Sequence, residues 1–368
     1  MKVSVILPCR NEEQTIGICI KKIQKTLEGK DYEIIVSDSS IDKSAEIAKS
    51  LGVKLIKHDK EGYGNAYLEG LKHAKGSVIV MGDSDDTYDF TELPKLLGYI
   101  DDYDFVIGRR KFIHSGAMSF SHRYIGNPLL SFILGLFFKT KIKDINSGFR
   151  VIKKEGLDKL NLQTTGMEFA SEMIIKAIKN NLRIKEVDIN YYKRKGKSKL
   201  HSFRDGWRHL RFMLLYSPLF LFFIPGIILF FIGLISLLYM YFNQIDLFGI
   251  KLFYHPLFFS SLLIIIGYQL VIFSLFAKTY AINHLGEKPI LNKFYKYVSI
   301  ESVSIFGLSI IIAGIVIYSL IFSKWINTGF GNFGLEETKN TILAFILVIV
   351  GIQTIFSSFM LSILGIKK

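Results

Sequence analysis

The sequence predicts an α/β domain built on a mostly parallel sheet with helices on both faces, followed by interfacial helices and an α-helical transmembrane domain. Three observations carry this. Residues 2–108 alternate short apolar strand patterns with helical ones, at a pace that suits parallel βαβ units. Residues 219–366 hold four apolar stretches, each at least the ~20 residues a bilayer crossing needs and each without Asp, Glu, Lys or Arg. Hydrophobic residues make up 50% of the 368 residues, and the mean hydropathy of +0.32 exceeds that of an ordinary soluble chain.

The first strand is "KVSVILP" (2–8), and "RNEEQTIGICIKKIQKTL" (10–27) follows with Ile16, Ile20, Ile23 and Leu27 at helical spacing. Strand "YEIIVSDSS" (32–40), a helix over 42–51, strand "KLIKH" (54–58), a helix over 64–74, and strands "SVIVMGD" (77–83) and "FVIG" (105–108) continue the alternation. In open sheets of this kind ligands bind beyond the carboxyl ends of the strands. Polar residues stand there after three strands: Arg10 to Glu13, Asp38, and Asp83 with Asp85. The run "VIVMGDSDDTYDF" (78–90) crowds four aspartates, Asp83, Asp85, Asp86 and Asp89, onto the end of an apolar strand. Mutual repulsion makes such a run tolerable only where solvent dilutes it or a cation neutralises it, and three polar clusters at one sheet edge favour a site over a solvated turn. The loop "PCRNEE" lacks the glycines of a dinucleotide fingerprint, and Gly62 with Gly64 form a lone G-x-G, which close helix packing explains equally well. Glu168 and Glu172 stand four apart on one helical face, a spacing for a metal, a sugar or a plain surface.

Segment 116–138 is too apolar for a soluble loop and is interrupted by Arg123, Asn127 and Pro128; it and the stretch from 203 to about 217 read as helices lying in the membrane interface. The spans are expected at 219–242, 256–277, 302–322 and 341–366, giving domains 1–212 and 213–368. No cleavable signal is expected before the first domain. Lys278, Lys288, Lys293 and Lys296 against Glu287, with Lys367 and Lys368 at the end, place both termini and the first domain on the cytoplasmic side of a multi-pass cell-membrane protein. Of the net charge of +14, much lies in 183–211, with ten Lys or Arg against three acids just before the first span, where anionic headgroups attract it. No nucleic-acid motif accompanies it. Cys9 and Cys19 are too few for a disulfide framework and read as reduced thiols.

"VILPCRNEE", "EIIVSDSSIDKS", "GYGNAYLEG", "MGDSDDTYD", "IGRR", "DINSGFRVIKKE" and "KRKGKSKL" resemble, in order and spacing, the inverting GT-A glycosyltransferases of family 2, specifically the polyprenyl-phosphate (dolichyl-phosphate) hexose synthases, over about residues 1–212. The resemblance implies that Pro8, Arg10, Glu12 and Asp38 line the nucleotide pocket, and that Asp83 and Asp85 are a D-x-D pair holding Mg²⁺ or Mn²⁺ against the donor diphosphate. Asp86 and Asp89 would stand behind that pair or meet the sugar hydroxyls. Arg110 and Arg123, with Asn127 and Ser147, would grip the lipid phosphate. The flexible "RKGKSKL" loop would close over the donor, with Arg194 and Lys199 as contacts. Arg10 and Ser37 depart from the family's usual aromatic and aspartate, which leaves the base open, and no Q-x-x-R-W of the polymer-forming members is present.

The implied reaction moves a hexose from UDP-glucose or GDP-mannose to polyprenyl or dolichyl phosphate. Such an acceptor is already largely anionic near neutral pH, so cations and positioning replace a strong general base. The partners are then a nucleotide sugar, a lipid phosphate and the membrane, not nucleic acid, and a homo-oligomer is left open. Two other readings compete: transfer to a lipid alcohol or glycan, and a transporter or flippase with a regulatory soluble domain. Against the last, the spans lack the ionisable residues of a polar transport path.

Overall fold

The computed structural model describes residues 2–196, 202–243, 245–247, 250–284 and 300–365. The chain divides after Tyr216 into two units.

The first unit is organised by a seven-stranded sheet: β1 (Val3–Cys9), β2 (Tyr32–Asp38), β3 (Lys54–Lys57), β4 (Val78–Met81), β5 (Phe105–Ile113), β6 (Arg150–Lys153) and β7 (Ile184–Tyr191), in the order β3-β2-β1-β4-β6-β5-β7. β1 to β4 run parallel, as the strand–helix alternation predicts. β6 pairs antiparallel with both β4 and β5, while β5 and β7 pair parallel. The short run "RVIK" of β6 carries no local mark of its reversed direction. β5 extends to Ile113, beyond the apolar "FVIG", because β7 supplies a partner as far as Tyr191 across an irregularity between Arg110 and Phe112.

Strand side chains alternate between faces. Val3, Val5, Leu7, Val78 and Val80 join one core with α1 (Ile16–Thr26), into which Ile16, Cys19, Ile20 and Ile23 are buried. Ile6, Ile79 and Met81 join a second core on the other face. This core takes in α3 (Tyr63–Leu71), α5 (Asn127–Phe138), α7 (Phe169–Lys179) and α8 (Ser202–Leu215). Short helices α2 (Ser44–Ser50), α4 (Leu93–Leu97) and α6 (Lys154–Asp158) complete the unit. Each fully buried Leu, Ile or Val contributes about 1.5–3 kcal/mol, so the two cores hold the strand ends in register. Both cysteines are buried thiols without a disulfide, and burial raises the pKa of each.

Segment 116–138 forms a π-helical turn (His122–Gly126) running into α5. Phe120, Tyr124, Ile125, Leu129, Phe132 and Leu136 on it are exposed, although all are apolar or aromatic.

Among its described residues, the second unit holds four helices long and apolar enough to cross a membrane. They are α9 (Ile224–Phe242), entered through a π-helical turn at Leu219–Phe223, α10 (His255–His284), α11 (Ile300–Asn327) and α12 (Leu335–Gly365). A short antiparallel pair, β8 (Ile245–Leu247) and β9 (Ile250–Leu252), lies between α9 and α10. The helices overrun the apolar stretches because polar residues at a span's ends need not interrupt a helix. Small residues meet where helices touch: a Cβ on Gly267 would lie 2.4 Å from the Phe230 nitrogen, and one on Gly351 2.7 Å from the Gly307 carbonyl. That is how helices pack when lipid removes the hydrophobic drive between them.

Candidate active site

Because β1, β2 and β4 run parallel, the residues after their carboxyl ends gather on one side of the sheet. They meet a cavity of about 1100 Å³. Pro8, Arg10, Glu12, Asp83 and Asp85 line its strand-end wall. Asp83 is deeply placed: the Tyr63 hydroxyl bonds to it, its Oδ1 is buried with no hydrogen-bond partner, and burial and then the Asp85 carboxylate raise its pKa well above the carboxylate range. Gly148 makes room for it, since a Cβ there would lie 2.8 Å from the Tyr63 hydroxyl and 2.9 Å from Asp83 Oδ2. Asp85 Oδ1 accepts from the Thr87 amide (3.1 Å) and hydroxyl (2.6 Å). Its Oδ2 faces Arg194 Nη1 at 3.0 Å.

A strap after β7 crosses these acids. Arg194 pairs with Glu12 as well as Asp85, and Lys195 reaches Asp86 at 2.6 Å. Lys22 meets Asp86 at 2.8 Å and Asp89 at 3.6 Å, and Asp89 Oδ1 accepts from the Thr91 amide at the start of a helical turn. The four aspartates therefore divide. Asp83 and Asp85 line the cavity, whereas Asp86 is held by two lysines and Asp89 is a cap.

Arg110, on β5, also lines the cavity, but its guanidinium is committed to Asp144 through Nε–Oδ2 (2.8 Å) and Nη2–Oδ1 (2.7 Å). Burial opposes ionisation of Asp144, and the Arg110 charge more than offsets it, leaving the carboxyl below its ordinary range. Asn127 Nδ2 donates to the same carboxylate at 3.1 Å, and Asn146 Nδ2 to Asn127 Oδ1 at 3.2 Å.

Loop 163–168 is fixed from two sides. Glu172 accepts from the Gln163 and Thr164 amides and pairs with Lys176. Gly62 (φ +118°) and Gly64 bring α3 so close that Cβ atoms there would lie 2.3 Å and 2.1 Å from the Thr165 and Thr164 carbonyl oxygens. The G-x-G thus serves close packing. Glu168 ends this loop on the cavity wall, with Oε2 buried and unpartnered. The two glutamates do not act as a pair, because Glu172 is a fully buried support.

The model of glycosyl transferase family 2 matches residues 4–160, and that of the family's C-terminal transmembrane region matches 275–365. The low-salt glycan biosynthesis hexosyltransferase Agl6 of Haloferax volcanii is 37% identical over 99% of this chain and 89% of its own length. The chain belongs to glycosyl transferase family 2. This transferase is also similar to a dolichyl-phosphate hexose transferase of Haloferax volcanii, 31% identical over 55% of this chain and 89% of that protein. Among solved structures, glucosyl-3-phosphoglycerate synthase of Mycobacterium tuberculosis, in complex with Mn²⁺, UDP and glucosyl-3-phosphoglycerate, covers 59% of this chain and 80% of its own, at 22% identity and a TM-score of 0.48. The family 2 transferase is a multi-pass membrane enzyme with a mostly parallel, mixed sheet.

Several expected site residues of the transferase lie elsewhere. Arg123 is exposed, stacks over the Tyr124 ring at 5.2 Å and does not line the cavity. Ser147 is fully buried, and its hydroxyl donates to the Gly108 carbonyl. Asp38 is buried and does not line the cavity, although its neighbour Ser39 does; its Oδ1 accepts from the Ser40 amide at 3.3 Å and its Oδ2 has no hydrogen-bond partner. Lys199 lies outside the described residues. In return, the cavity is lined by Arg204, Arg208 and Arg211 of α8, which sequence reasoning assigned only to an interfacial segment. Their spacing of four and three residues was the available signal.

Proposed function

We propose that this transferase moves a hexose from a nucleotide sugar, UDP-glucose or GDP-mannose, to the phosphate of a polyprenyl or dolichyl lipid. The observation that carries the reading is one cavity with a carboxylate pair on one wall and arginines on another, in a chain with four membrane helices. Similarity to a glycan biosynthesis hexosyltransferase and to a dolichyl-phosphate hexose transferase supports it.

Asp83 and Asp85 fit a hard divalent cation, Mg²⁺ or Mn²⁺: two oxygen donors two residues apart, one with a buried oxygen that nothing satisfies. Among the described residues no third His, Cys, Asp or Glu closes a cluster with them. Such a cation offsets charge on the departing nucleoside diphosphate. Arg194, now on Glu12 and Asp85, is placed to exchange those carboxylates for diphosphate oxygens. Pro8, Arg10 and Glu12 border the nucleotide. Tyr63 and Gly148 hold Asp83 in place.

The acceptor's phosphate oxygen attacks the anomeric carbon, the bond from that carbon to the diphosphate oxygen breaks, and the nucleoside diphosphate leaves with the electron pair. A phosphate monoester is mostly a dianion at neutral pH, so no residue has to remove a proton. The exposed apolar side chains of segment 120–136 suit a bilayer interface that presents the lipid. The deciding experiment incubates purified full-length protein and Mg²⁺ with UDP-glucose, GDP-mannose and other nucleotide sugars, against polyprenyl phosphate or polyprenol. Product with the phosphate alone supports the reading. Equal transfer to polyprenol overturns it.

A further inference from the structure

We propose that the arginine face of α8, formed by Arg204, Arg208 and Arg211, is the seat of the acceptor's phosphate, a dianion at the end of a hydrocarbon chain. The inference rests on the reading above and assigns its second anion to a wall of its own.

Three observations converge. First, spacings of four and three residues put the three guanidinium groups on one side of the 14-residue helix, and all three line the cavity. Second, the helix is held in that orientation. Met213 is fully buried and Phe212 nearly so in the core that also contains Phe169 and Met173, and buried His209 meets the Ser171 hydroxyl through Nδ1 at 2.6 Å. Rotating the arginines away would expose that core. Third, these charges differ from those of the other arginines in the cavity. Arg10 faces Glu61, Arg110 faces Asp144, and Arg194 faces Glu12 and Asp85, whereas Arg204 and Arg211 meet no carboxylate among the described residues. Like charges four apart on a helix repel. A run of them held toward a cavity by packing suits a ligand of opposite charge, and the guanidinium fork matches phosphate oxygens two at a time.

The neighbouring wall fits the rest of the ligand. Asn127 and Leu130 of α5 line the cavity, while Leu129 and Phe132 of the same helix are exposed on its outer side. A lipid phosphate can therefore enter beside α5 with its head in the cavity and its chain along that apolar face.

The test uses full-length protein in detergent, with farnesyl phosphate as acceptor. Replacing both Arg204 and Arg211 by Ala should raise the acceptor KM about ten- to a hundredfold, the range expected for lost hydrogen bonds to a charged group. Binding of the nucleotide sugar should stay within about twofold, and the double Lys variant should recover part of the loss because it keeps charge but not the fork. An unchanged acceptor KM overturns the proposal, as does equal weakening of donor and acceptor. If the wild-type protein binds farnesyl phosphate but transfers no sugar to it, the proposed function fails. Binding of farnesyl phosphate to protein loaded with nucleoside diphosphate and Mg²⁺ is then the readout: loss in R204A/R211A upholds the seat, and retention overturns it. Inorganic phosphate and anionic vesicles are run as competitors. If the variant loses only vesicle binding, the arginines meet the membrane surface instead and the proposal is wrong.

Discussion

Arg110 and Arg204 border the same cavity under opposite conditions. Arg110 is buried, held on two nitrogens by Asp144, and continued through Asn127 to Asn146. Arg204 is exposed and has no carboxylate partner among the described residues. The strand-end wall resembles Arg110, with Arg194 set against Glu12 and Asp85; on the α8 wall Arg211 resembles Arg204. The difference teaches that a basic residue on a cavity wall is not thereby a ligand contact. Where a buried carboxylate already balances it, the charge belongs to the fold, and where packing aims it at space without a counter-ion, it is available for chemistry.

The largest expected effect tests the fold side of this contrast. Arg110→Ala leaves Asp144 buried and uncompensated, which should cost about 3–5 kcal/mol, whereas Arg204→Ala should stay within about 0.5 kcal/mol; thermal unfolding compares them. A pH series gives the sign. Asp144 has a lowered pKa in the fold, so its contribution is fully present above the ordinary carboxylate pKa and is lost as the pH falls through the depressed value. Equal melting of the two variants would break the contrast.

Next comes the carboxylate pair. Asp83→Asn or Asp85→Asn should lower kcat about 10²- to 10³-fold, the scale for removing one electrostatic contact to a transition state. Mn²⁺-dependent binding of nucleoside diphosphate should fall with it, while unfolding changes little. Full activity in excess EDTA would remove the cation from the strand-end wall. A smaller loss is expected for Gly148→Ala, whose methyl group would press on Tyr63 and Asp83 and cost about 1–3 kcal/mol. Its turnover should fall more than its acceptor affinity, because the disturbance is on the donor's side. Arg123→Ala should change transfer least, within about twofold. A large rise in acceptor KM there would place the phosphate at the π-helical turn and not at α8.

Much of the fold was legible because it depends on local period. Strand alternation, helical spacing and four uncharged apolar runs identify β1 to β4, α1 to α3 and the four membrane helices without knowledge of distant contacts. The D-x-D pair was legible too, since a strand with acids after it carries its own direction. β6 was not. Its four residues look like any short strand, and only pairing with β4 and β5 makes it antiparallel.

What the sequence by itself determined, then, is the order of elements and which side chains exist near each strand end. Only the tertiary structure decided which charges cancel. Arg194 meets Glu12 from 182 residues away, Arg110 finds Asp144, and Glu172 turns inward to hold a loop while Glu168 faces the cavity. The physical reason is range. Secondary structure follows from neighbours three or four residues along the chain, whereas the environment of an ion depends on everything within a few ångströms in space, and that is set by how the sheet and helices pack.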